Sequence, residues 1–204
     1  VSSAPDAVTA TRADDELRVV GDLQPGQTVT VTYQVTVTVW LHGDNDLANV
    51  LIPDVPQLCE DGELCPGPGT EHPVGDLDDW KSVDPASGTT VQPGIVMTYT
   101  LHFKNTGKAL VDVARDDDLS AVLDDVDLTV DPASSDAALS VSPVTDGRFS
   151  VTGSLDAGQA VTVTYTVTVK ADGERGDDQL GNFILNPGQV PPPDGESRCA
   201  PQVP

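Results

Sequence analysis

Three side chains of this sequence stand at strand positions where a polar group is costly. In Asp79–Val83, a five-residue strand by its alternation, Asp79, Lys81 and Val83 share one face. In Gln179–Leu185, Leu180, Asn182 and Ile184 share a face, so Asn182 points where its apolar neighbours point. Val111, Val113, Arg115, Asp117 and Leu119 have the same parity, which directs Asp117 inward, with Asp116 and Asp118 as its rivals. The set is an amine, a carboxyl and an amide. A buried charge without a counterpart is expensive, so these groups are expected to pair or to neutralise one another. The pattern alone leaves a plainer reading open. Lys81 also fits a solvated edge lysine that blocks sheet aggregation, Asn182 a turn-proximal amide, and Asp116–Asp118 a solvated loop.

The elements that would carry these residues are strands. Thr28–Val39 alternates strictly, with Val29, Val31, Tyr33, Val35, Val37 and Val39 on one face and mainly Thr on the other. Ala160–Lys170 repeats that ladder. Ile95, Met97, Tyr99, Leu101 and Phe103 share a face after the Pro93-Gly94 turn, and Asn105-Thr106-Gly107 reads as a hairpin turn. Leu110–Arg115 follows, then the acidic run Asp116–Asp118, and Leu119–Val130 has room for a short helical turn. Leu47–Ile52, Ala138–Val141 and Arg148–Thr152 read as shorter strands. Trp80, beside Lys81, falls on the opposite face as an outward or interdomain packing residue. Seven or more short strands with turns between them predict an all-β chain of immunoglobulin-like β-sandwiches.

The chain also contains itself twice. GDLQPGQTVTVTYQVTVTV, from Gly21, matches GSLDAGQAVTVTYTVTVKA, from Gly153. Gly21 pairs with Gly153 and Tyr33 with Tyr165 at one offset, and Asn49 falls on Asn182. A repeat of this length predicts tandem domains. Residues 1–56 read as the C-terminal half of one repeat, 57–76 as a Pro/Gly-rich linker, 77–188 as a complete repeat and 189–204 as a Pro-rich linker to a next one. Asn49 has no lysine strand of its own in this chain. Truncation, or a strand supplied by another chain, would account for that.

Composition narrows the function. With 33 acidic against 10 basic residues the net charge is −23, which opposes binding to nucleic acid or to an anionic membrane. No apolar run is long enough to span a bilayer, and the N-terminus has no signal-peptide pattern, so an export signal or wall anchor is expected outside these residues. Cys59 and Cys65 flank a short EDGEL loop, and a metal site would need more ligands than the scattered His42, His72 and His102 provide. A Cys59–Cys65 disulfide is therefore expected, and with it an oxidising, extracellular setting. Cys199 would find its partner beyond Pro204. The acidic loops GDNDL, ARDDDL and RGDDQ could attract Ca²⁺, but none has the spacing of a calcium loop, so no cofactor is expected. There is no nucleophile motif and no cluster of histidines, so multiple-turnover enzymology is not expected either.

Taken together, WKSVDPASGTTVQPG, YTLHFKNTG, DDLSAVLDD, GSLDAGQAVTVTYTVTVK and GDDQLGNFI resemble the tandem surface repeats of Gram-positive bacteria, notably actinobacteria, and are similar to fimbrial isopeptide-forming domains. The resemblance covers nearly the whole chain. It implies a covalent bond between a first-strand lysine, Lys81, and a last-strand asparagine, Asn182, assisted by the acid Asp117. An apolar site would let Lys81 act as a neutral nucleophile and keep Asp117 protonated to polarise the Asn182 carbonyl. The role implied is a stalk or fibre module at the cell surface whose partners are neighbouring repeats or further copies of itself. An adhesin domain with a surface ligand, or a filament subunit assembled by strand donation, is the alternative.

Overall fold

A computed structural model describes residues 2–4, 7–37, 43–52 and 67–191. Cys59, Cys65 and Cys199, and with them the expected disulfide, lie outside the described residues. The chain divides into two compact units, Val1–His42 and Gly43–Pro204. The described structure is all-β and its ladders are antiparallel. No described helix is long and apolar enough to cross a membrane.

The first unit holds β1 (Ser2–Ala4), β2 (Val8–Ala13), β3 (Glu16–Gly21) and β4 (Thr30–Thr32), paired β1 with β4 and β2 with β3. The Thr28–Val39 ladder, expected as one long strand, is paired among its described residues, 28–37, over Thr30–Thr32. Tyr33, Val35 and Val37 are exposed by 43%, 71% and 48%. The identical pattern in the second copy is a full strand with a neighbour on each side. Alternation is thus a capacity that a strand realises only when a partner lies beside it.

The second unit holds β5 (Asp46–Val50), β6 (Gly69–Pro73), β7 (Leu77–Asp84), β8 (Val96–Asn105), β9 (Val111–Asp118), β10 (Val126–Ser134), β11 (Leu139–Val141), β12 (Arg148–Leu155), β13 (Ala160–Val169) and β14 (Phe183–Leu185). Two four-stranded sheets, ordered β10-β13-β8-β7 and β11-β12-β9-β14, enclose the core. Leu101, Val151, Leu155, Val163 and Val167 are fully buried between them. The strands β7 and β14 are the edges of their sheets.

Several expectations change. The expected linker 57–76 contains β6, which pairs with β5. Asn105-Thr106-Gly107 is no hairpin, because β8 and β9 belong to different sheets. The acidic run lies inside β9 rather than after it, and the last strand shortens to Phe183–Leu185. A single helical turn does follow Leu119, whose carbonyl accepts from the Leu123 amide at 2.9 Å. At Gly153 a Cβ would lie 2.0 Å from the Ala138 carbonyl oxygen, and at its repeat partner Gly21 one would lie 2.1 Å from that of Ala7. Both copies therefore need glycine where two strands meet closely.

The crossover from β8 to β9 is fixed by Asn105, which is fully buried. Its Nδ2 donates to the carbonyls of Ala109 (2.7 Å) and Leu155 (2.9 Å), and its Oδ1 accepts from the amides of Gly107 (2.9 Å) and Asp76 (3.3 Å). Asn105→Ala strands these buried backbone groups and should cost about 2–4 kcal/mol, measured by urea unfolding. A loss below about 0.5 kcal/mol, the range of an ordinary surface change, would contradict this.

Candidate functional site

The inward faces of β7 and β9 carry two successive charge pairs of opposite sense. Arg115 grips Asp79 with two hydrogen bonds, Nε to Oδ2 at 2.9 Å and Nη2 to Oδ1 at 3.0 Å. One step further in, Lys81 Nζ donates to Asp117 Oδ1 at 2.6 Å. The alternation at residues 79 and 81, answered at 115 and 117, fixes the register between the edge strand β7 and the inner strand β9 of the other sheet. The outer pair is partly exposed, whereas the Lys81 and Asp117 side chains are 10% and 0% exposed.

Asn182 arrives from the other edge. It immediately precedes β14, in a segment anchored where the Gly181 amide donates to the Ala121 carbonyl at 3.1 Å. Just upstream, the buried Asp125 carboxylate accepts from the amides of Gly176 (2.9 Å) and Gln179 (3.1 Å). Leu180 and Ile184 pack on the core, so the shared inward face holds. Lys81 Nζ donates to Asn182 Oδ1 at 2.5 Å. The structure thus brings Lys81, Asp117 and Asn182 together from β7, β9 and the approach to β14.

A fourth group sits among them. The Tyr165 hydroxyl, from β13, accepts from Asn182 Nδ2, donates to Asp117 Oδ2 at 3.3 Å and lies 3.4 Å from Lys81 Nζ. Its ring stacks on Tyr99 (5.3 Å between centroids) and meets Phe149 edge-on. Lys81 Nζ lies 5.6 and 5.8 Å from the Tyr99 and Tyr165 ring centroids, where aromatic faces favour a cation.

Burial pushes the Asp117 carboxyl up, against the opposing pull of Lys81. Burial followed by the Asp117 charge pushes the Tyr165 phenol up as well, and Tyr99, for the same two reasons, to about 12. Burial thus favours the neutral form of the carboxyl and of both phenols. The rival acids are engaged elsewhere. Burial would raise Asp118, but hydrogen bonds from Ser120 and Arg148 outweigh it and hold the carboxyl low. Asp116 accepts from the Ser150 hydroxyl at 2.7 Å.

One sequence expectation is corrected here. Asp117 was expected to hydrogen-bond the Asn182 carbonyl, but that oxygen is met by Lys81, and the carboxyl is held by Lys81 and Tyr165 instead. Trp80 lies on the opposite face, stacked on His102 at 4.7 Å. A cleft of about 650 Å³ reaches Lys81 and Asn182 past Val83, Met97, Tyr99 and Leu180. Of the acidic loops, RGDDQ supplies Asp177, whose carboxylate lies within 4.8 Å of those of Asp124 and Asp125. The Asp125 carboxylate already serves the loop amides.

The family described as "Domain of unknown function (DUF7927)" matches residues 1–74 and 76–204. The chain belongs to this family. No curated protein matches the chain. Among solved structures it is similar to "Chitinase ChiA74 from Bacillus thuringiensis", at 11% identity and a TM-score of 0.23 over 87% of this chain. This chain spans 23% of that chain's length. A score that low establishes no common fold.

Tyr165 is the site residue that sequence reading missed. It falls on the apolar parity of Val161, Val163 and Val167, so its ring reads as core and its hydroxyl is not conspicuous. The one available signal is that a fully buried tyrosine oxygen needs a partner.

Proposed function

We propose that this chain is an extracellular structural module, a stalk or fibre segment of a bacterial surface protein, built from immunoglobulin-like sandwiches and locked by an isopeptide bond between Lys81 and Asn182. The observation that carries this is one buried nitrogen, Lys81 Nζ, held 2.6 Å from Asp117 Oδ1 and 2.5 Å from Asn182 Oδ1.

The chemistry follows from those contacts. A proton passes from Nζ to Asp117, which replaces a buried ion pair by a neutral amine and a neutral carboxyl. The amine attacks Cγ of Asn182, the Cγ–Nδ2 bond breaks, and ammonia leaves. One hydrogen remains on the new amide nitrogen, three depart with ammonia and one stays on Asp117. Fixed proximity supplies much of the acceleration. The open cleft gives ammonia its exit. Each site reacts once, so this is self-maturation rather than turnover.

The bond would join β7 to the approach of β14, the first and last strands of the two main sheets. Tension entering at one and leaving at the other would bypass the hydrogen-bonded ladders. Pulling single molecules by their ends tests this. Wild type should withhold the chain between the bonded residues, 101 positions apart. Lys81→Ala should release about 330–360 Å of additional contour length. Equal extensions would contradict the proposal.

One observation favours a second reading, strand donation between chains. The Tyr33, Val35 and Val37 ladder is exposed in the first unit, whereas its counterpart β13 lies between β8 and β10. A strand from another chain could cover it.

A further inference from the structure

We propose that Tyr165 is a catalytic residue of this self-crosslinking site, the relay through which a proton reaches the departing nitrogen of Asn182. This inference rests on Lys81 and Asn182 being the bond partners.

The relay answers a need that the Lys81–Asp117 contact leaves open. Nδ2 must gain a hydrogen to depart as ammonia, because an amide anion is too basic to leave. Asp117 makes no hydrogen bond to Asn182 among the described contacts. The Tyr165 oxygen bridges them, touching Asn182 Nδ2 on one side and Asp117 Oδ2, at 3.3 Å, on the other. With Lys81 Nζ on Asp117 Oδ1, the four groups form a closed ring of contacts around the scissile amide.

The direction of transfer changes with the state of the amide. In planar Asn182, the Nδ2 lone pair is conjugated with the carbonyl, so Nδ2 can only donate, and Tyr165 accepts. Once Nζ has added to Cγ, Nδ2 is a tetrahedral amine whose lone pair accepts from Tyr165. The proton that Nζ gave up before attacking reaches Asp117 on Oδ2 through the Tyr165 hydroxyl, which takes it from Nζ at 3.4 Å and passes its own to Oδ2 at 3.3 Å, so neutral Asp117 carries its proton on Oδ2. As the adduct collapses, Nζ gives a proton to Oδ1, Oδ2–H gives one to the Tyr165 oxygen, and Tyr165 gives its own to Nδ2. The Cγ–Nδ2 bond breaks and ammonia leaves with three hydrogens. Asp117 ends neutral, protonated on Oδ1, and Tyr165 ends as a phenol. No charged phenolate arises, in keeping with a phenol that burial holds neutral. The rings of Tyr99 and Phe149 fix the phenol in place, so the relay costs no reorganisation when the bond forms.

The test is Tyr165→Phe, which keeps the ring and removes the oxygen, followed by intact mass against time after isolation. Wild type should have lost its ammonia by the time it is isolated. The variant should emerge largely at full calculated mass and lose ammonia on the order of 10²-fold more slowly or worse, the usual contribution of a positioned proton donor. If Tyr165→Phe is as completely crosslinked as wild type on isolation, the relay is overturned while the bond stands. If wild type retains its ammonia, both are overturned. Should the phenylalanine variant lack a cooperative unfolding transition, 3-fluorotyrosine at position 165 preserves shape and hydroxyl while making the phenol more acidic. Followed during cell-free synthesis, it should change the rate of ammonia loss, and an unchanged rate would overturn the relay.

Discussion

Lys81→Ala is expected to carry one more ammonia than wild type and to be less stable by more than about 5 kcal/mol. Two effects combine. The bond would close a loop across 101 positions, and a crosslink of that span is worth about 4–5 kcal/mol in chain-entropy terms. Removing the amine also takes from the fully buried Asp117 carboxyl the nitrogen that meets its Oδ1, and a buried polar group left without such a partner costs about 1–3 kcal/mol. The two need not add, because the adjoining cleft can admit water to the vacated space.

The pH dependence of this variant has a definite sign. Burial already raises the Asp117 carboxyl, and Lys81 is the main influence holding it down. Without Lys81 the folded state binds that proton more tightly than the unfolded chain does. Stability should therefore be greatest below the unfolded value of about 3.9 and fall as pH rises through the folded one. Asp117→Asn on the Lys81→Ala background should remove this dependence. Urea midpoints across pH decide it, and stability of Lys81→Ala rising toward neutrality through this group would contradict the assignment.

Asp117→Asn alone is the second large effect. The substituted amide has nearly the shape of the carboxyl but cannot take the Lys81 proton, so the nucleophile stays an ammonium. Ammonia loss should slow by about 10²–10⁴-fold, and the chain should be isolated at its full mass. Its stability should fall by at least the crosslink's own roughly 4–5 kcal/mol, because the Lys81 ammonium is also left without its counter-charge. Asp118→Asn should leave the reaction intact, since Asp118 serves Arg148 and the Ser120 amide. A reaction stopped by the Asp118 change and unaffected by the Asp117 change would reverse the assignment.

The fold was legible where alternation and partners coincide. The strands around Lys81, Tyr99, Val151 and Tyr165 all follow their apolar parity, and parity also turned Lys81, Asp117 and Asn182 inward. It failed where the letters repeat but the surroundings differ. The ladder at Tyr33 reads as firmly as that at Tyr165, yet only the second has strands on both sides. Gly69–Pro73 has a linker's composition, but it pairs with Asp46–Val50 because backbone hydrogen bonding does not depend on side-chain type. Within Asp116–Asp118 three identical side chains have three different fates, decided by Ser150 and Arg148 on the neighbouring strand and by Lys81 from the other sheet. Tyr165 escaped because a hydroxyl at the end of a core ring becomes a functional group only through what it touches.

The most direct test of the account is the intact mass of the wild-type protein, denatured and reduced, followed by proteolysis and sequencing of the peptide that contains Lys81. The account predicts a mass lower than calculated by one ammonia and a branched peptide joining Lys81 to Asn182. The full calculated mass, with Lys81 and Asn182 on separate unmodified peptides, would contradict it.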